Sequence, residues 1–129
     1  MTVRWDCVCI NSTDPQRLAD FWEQVMGWRR TLDTAEEVSL EPPPGSPEHV
    51  TSPALWFARV PEEKSGINRL HIDLRPHDQA AEVERVLSLG ARHVDVGQGD
   101  DVSWVVLADP DGNEFCVLRA LTPAELADA

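Results

Sequence analysis

Tyrosine is absent from this sequence, cysteine and methionine are scarce (three and two in 129 residues), and no apolar run exceeds a few residues. The longest, around Val105-Val106-Leu107-Ala108, falls far short of the roughly 20 apolar residues a membrane-spanning helix needs. The start, Met-Thr-Val-Arg-Trp-Asp, carries charge where a secretory signal would be apolar, so a cytoplasmic location is expected. Cys7, Cys9 and Cys116 are too few and of odd number for a disulfide framework. Cys7 and Cys9 stand two apart on an expected strand and point the same way, which suits reduced thiols. Basic residues are few as well, 11 against 23 acidic, for a formal charge of −12. Such a surface repels phosphate backbones and anionic lipid, so neither nucleic acid nor a membrane is the expected partner. A neutral or cationic small molecule is tolerated better.

What is present is a globular composition. The apolar fraction is 42%, and 129 residues suffice for one domain, 1–129, with its own core. Arg4 to Ile10 alternates as a strand, with Trp5, Cys7 and Cys9 on one face. Asp14-Pro15 opens a helix, Leu18, Phe21, Trp22 and Val25 line its inner face, and Gly27 closes it. Short strands are expected at 28–33, 37–41 and 54–60, the last two separated by a proline-rich loop.

The second half repeats the plan. Asn68 to Arg75 reads as a strand with Leu70, Ile72 and Leu74 on one face and Arg69, His71, Asp73 and Arg75 on the other. A helix follows at 78–89, carrying Val83, Val86 and Leu87 inward and ending at Gly90. Strands are expected at 91–96, 102–108 and 114–118, and a short helical turn after Thr122-Pro123 in the tail, 120–129. Each half thus reads strand, helix, three strands: module one at about 3–60, module two at about 68–119.

Three stretches resemble the glyoxalase-like branch of the vicinal oxygen chelate superfamily, which includes bleomycin-resistance proteins and extradiol dioxygenases. They are Asp14-Pro15-x-x-Leu18-x-x-Phe21-Trp22 running to Gly27-Trp28, Asn68-Arg69-Leu70-His71-Ile72-Asp73-Leu74, and Asp109-Pro110-Asp111-Gly112-Asn113-Glu114-Phe115. The resemblance implies an α+β fold of two βαβββ modules forming a curved mixed sheet around a central cleft. Metal-dependent members hold a divalent ion there through four strand positions, mainly His and Glu. By position these places fall on Cys7, His71, Cys116 and near Trp56. An indole cannot ligate, so the implied set is eroded, and the expectation is a pocket without a full metal site. The alternative is zinc, nickel or iron on Cys7, His71 and Cys116.

Within that frame His71 is the candidate acid–base, with Asp73 on the same strand face to set its tautomer. Trp5, Trp56 and Trp104 have the parity to stack on a planar or cationic ligand, and Arg69 and Glu114 could contact it. The plainer readings are half-buried sheet aromatics and solvated charges. Gly97-Gln98-Gly99-Asp100-Asp101 reads as a lip over the cleft. The function expected is binding or transformation of a small organic metabolite. Its alternatives are a metal-dependent lyase, isomerase or dioxygenase, and sequestration of an aromatic or cationic compound in the bleomycin-resistance manner. Exposed sheet edges predict a homodimer.

Overall fold

A computed structural model describes residues 3–128. The chain divides between Lys64 and Ser65 into two compact units, each a four-stranded mixed sheet with a helix on one face. The class is α+β, and each unit runs βαβββ.

In the first unit, strand β1 (Cys7–Ser12) leads to helix α1 (Pro15–Met26), then β2 (Arg29–Asp33), β3 (Glu37–Glu41) and β4 (Ala54–Arg59). The sheet order is β1-β4-β3-β2, with β1 parallel to β4 and the other pairs antiparallel. α1 forms where expected because both ends are capped. The Asp14 carboxylate accepts the Arg17 N–H at 3.2 Å, Pro15 occupies the first turn, and Gly27 closes the helix in a left-handed conformation at φ 66°. Leu18, Phe21, Trp22 and Val25 are buried, and the rings of Phe21 and Trp22 meet edge to face at 5.2 Å. They pack on Val38, Leu40, Leu55 and Phe57 of β3 and β4, all buried, which is the core of this unit.

The second unit repeats the order with β5 (Ile72–Leu74), α2 (Gln79–Leu89), β6 (Arg92–His93), β7 (Val105–Ala108) and β8 (Glu114–Val117), arranged β5-β8-β7-β6. Asp78 caps α2 through the Ala81 N–H at 3.1 Å, and Val86 is the helix residue buried completely. It joins Leu107, Phe115 and Val117 in a smaller core. A short helix, α3 (Pro123–Asp128), opens with a reciprocal cap: Thr122 Oγ1 accepts the Glu125 N–H, and the Glu125 carboxylate accepts the Thr122 N–H at 2.9 Å.

Several strands are shorter than their sequence patterns suggest. β1 begins at Cys7, not Arg4, because its register partner is Ala54 and Pro53 before it has no N–H to extend the ladder. Trp5 therefore lies outside the strand and is 70% exposed, its indole N–H donating to the Cys7 carbonyl at 3.1 Å. β5 spans three residues rather than 68–75. Its partner β8 starts at Glu114, directly after the Asp109–Asn113 turn, so residues 68–70 fall opposite the turn and have no strand to pair with. Leu70, expected against the helix, is consequently 89% exposed. β6 and β7 are likewise trimmed, to 92–93 and 105–108, so Trp104 precedes its strand.

Candidate functional site

The second unit contains a cavity of about 410 Å³. Its polar wall comes from sheet positions facing away from α2: Asp73 on β5, Glu114 and Cys116 on β8, and His71 just before β5. Trp104, Val106 and Leu118 form the apolar wall, and Val96, Gly97 and Gln98 form a lip.

Two local devices hold this wall. The Asp109 side chain is fully buried in the turn between β7 and β8, where it accepts the N–H groups of Asp111 at 3.0 Å and Asn113 at 2.9 Å. Gly112 completes the turn at φ 90°, a conformation that glycine adopts without strain. The register then sets Cys116 beside Asp73 on one side and Val106 on the other. From α2, Gln79 donates to the carbonyls of Ser103 at 2.8 Å and Val117 at 3.1 Å, fixing the backbone next to Trp104.

Asp73 is the centre of the polar group. Its Oδ1 lies 2.7 Å from His71 Nδ1. A carboxylate only accepts, so Nδ1 carries the hydrogen and Nε2 the lone pair of the neutral ring. The Cys116 thiol is pushed up to about 11 by burial, then by the charge of Asp73, which also accepts its S–H. At neutral pH it is a protonated thiol and a poor nucleophile. Glu114 is anchored separately, one oxygen accepting the Asn68 N–H at 2.9 Å.

One donor atom from each of His71, Asp73 and Cys116 lies within 4.8 Å of the others. Nitrogen, oxygen and sulfur at that spacing fit a three-ligand divalent site of zinc type, provided the thiol proton leaves on binding. Asp73, read from the sequence as a tautomer-setting partner, is here a potential ligand in its own right. Cys7 belongs to β1 of the first unit, half-buried beside the exposed Cys9.

The cavity thus brings together His71, Asp73, Trp104, Glu114 and Cys116. Arg69 is exposed and does not line it, because residues 68–71 are not strand and alternation no longer governs them. Trp5 and Trp56 are in the first unit. Trp56 is half-buried on β4, facing away from α1 in register with Cys9 and Ser39. Asn68 and Leu118 line the cavity with no signal in the sequence that would have separated them from ordinary strand ends.

Two βαβββ units with one shared strand order are the architecture of the glyoxalase/bleomycin resistance/dioxygenase superfamily. The chain belongs to the glyoxalase-like domain family, whose model matches residues 7–118. Solved structures agree on the fold. A glyoxalase/bleomycin resistance protein/dioxygenase family enzyme from Burkholderia phytofirmans PsJN is 20% identical, with a TM-score of 0.67 over 92% of this chain and 100% of that one. A fosfomycin resistance protein from Mesorhizobium loti is 17% identical, with a TM-score of 0.63 over 98% and 99%. The bleomycin-binding protein from Streptomyces verticillus, solved with copper(II)-bleomycin, is 12% identical, with a TM-score of 0.59 over 94% and 99%. No curated protein matches the chain. At these identities the likeness is one of fold.

Proposed function

We propose that the cavity of the second unit binds a small oxygenated metabolite and that His71, oriented by Asp73, exchanges a proton with it. The observation that carries this reading is the 2.7 Å contact between His71 Nδ1 and Asp73 Oδ1 at the cavity wall. It leaves the basic Nε2 as the atom able to take a proton from a ligand, the arrangement a lyase or isomerase step needs. Trp104 packs against the ligand, and Gly97 and Gln98 cover it. The metal-dependent alternative would hold its ion on His71, Asp73 and Cys116, and the ion would polarise a ligand oxygen as a Lewis acid.

Sequestration without turnover is the second reading, favoured by the 40% exposure of Trp104, which suits stacking on a flat ligand. The protein is proposed to act as a cytoplasmic homodimer. In support, its three cysteines are free, and β1 and β5 each end a sheet.

A panel of small hydroxy and oxo metabolites, assayed for turnover and for quenching of Trp104 fluorescence, separates the readings. Turnover of at least one compound is expected, with His71→Ala and Asp73→Asn lowering its rate by about 10²–10⁴-fold while quenching persists. Quenching with no turnover by the wild-type protein leaves sequestration. A panel that neither quenches nor reacts removes the cavity as a site.

A further inference from the structure

We infer that Cys7 and Cys9 form a two-sulfur site for a soft monovalent cation of the copper(I) type. The pair belongs to the first unit and is independent of the cavity reading, since neither residue lines the cavity. It shares no donor with the group of His71, Asp73 and Cys116.

Both residues stand on β1, two apart, so their side chains leave the same face of the sheet. At about 3.3 Å of rise per residue, their parallel Cα–Cβ bonds start about 6.6 Å apart. A disulfide needs its Cβ atoms at about 4 Å, so these two do not bond each other. Both thiols are free. Strand side chains lean along the strand direction, and two that lean toward each other bring their sulfurs closer than their Cβ atoms. Two thiolates on opposite sides of one ion, with metal–sulfur bonds of about 2.3 Å, are about 4.6 Å apart. That span lies within reach of the pair.

The donor set selects the ion. In register with Cys7 and Cys9 on β4 are Ala54 and Trp56, neither of them a ligand, and β1 ends its sheet. Among the described residues, the one group of three His, Cys, Asp or Glu donors is His71, Asp73 and Cys116, so no third such donor closes on this pair. Zinc takes four ligands and is poorly served by two. A soft monovalent ion is complete with two thiolates, the ligand type it prefers. Cys9 is exposed and Cys7 half-buried, so the ion arrives from solvent. Burial, then the charges of Cys7 and Glu37, hold the Cys9 thiol above its ordinary value. Binding therefore displaces protons: two S–H bonds break, two metal–sulfur bonds form, two protons pass to water, and the metal keeps its oxidation state. The positive ion offsets the repulsion between the two thiolates and that of Glu37.

Anaerobic titration of the reduced protein with copper(I), against the chromophoric chelator bicinchoninate, tests this. Cys116→Ala serves as the background, so that every thiol counted belongs to the pair. One copper(I) per chain is expected to be withheld from the chelator, with sulfur donors alone in its X-ray absorption spectrum. Cys7→Ser and Cys9→Ser should each lose that equivalent with far-UV circular dichroism unchanged. Asn11 is exposed on the same face, so Cys9→Ser combined with Asn11→Cys keeps two thiols there at about 13 Å and should not restore binding. Copper held equally by either serine variant, or by the displaced pair, overturns the two-sulfur site. One ion per two chains places the thiolates on separate molecules and overturns it as well. Nitrogen or oxygen donors in the spectrum, or a chain that yields all its copper to the chelator, do the same whatever the variants show.

Discussion

Asp73 serves two neighbours at once, the imidazole of His71 and the thiol of Cys116. Its effect on the thiol can be measured. Burial and the adjacent carboxylate favour the neutral S–H in the folded protein, raising its pKa to about 11. The sign follows: the stabilisation tied to this group is fully present below the ordinary thiol value of 9.0 and is lost as the pH rises through about 11. Alkylation of Cys116 by iodoacetamide, followed by peptide mass spectrometry, should therefore keep accelerating well past pH 9. Asp73→Asn should move the profile to lower pH, leaving only the part due to burial. A wild-type profile that levels off near pH 9 would show that neither influence reaches the thiol.

Among the elements, the turn between β7 and β8 has the largest leverage on the site. Asp109 is a buried carboxylate that satisfies two backbone N–H groups and the Asn113 side-chain amide, whose nitrogen lies 3.0 Å from Oδ2. Asp109→Ala leaves those donors without their acceptor, and loss of such bonds costs about 1–3 kcal/mol per buried group. Urea denaturation is expected to show destabilisation of at least about 2 kcal/mol, with weakened protection of β8 amides in hydrogen exchange. A variant as stable as wild type would mean the turn is held by its glycine and proline alone. The same element explains why β5 is short. A parallel strand reaches only as far as its partner, and here the partner begins where the turn ends.

At the scale of the whole molecule, repetition is the main fact: both units use one strand order, with the parallel pair formed by first and last strands. Each sheet leaves β1 or β5 at its end, and such edges are commonly covered by a second copy. Light scattering is expected to give a mass near twice the 14.4 kDa chain. A monomer persisting at high protein concentration would remove the dimer proposal.

The sequence by itself determined whatever depends on local chemistry. The caps of α1, the closing glycine of α2, the four-residue apolar stripe of α1 and the repeat of strand, helix and three strands were all legible, because each is specified locally. So was the shared parity of His71 and Asp73. Strand ends were not legible, since a strand stops where its partner stops and the partner is distant in the chain. That is why Trp5, Leu70 and Arg69 read as strand residues while the ladder reaches none of them. The tertiary structure alone decided that Cys116 stands beside Asp73 and that Asn68 anchors Glu114, contacts that span 43 and 46 residues of sequence. Side-chain type and spacing name the groups able to do chemistry, and only the register between distant strands selects which of them meet.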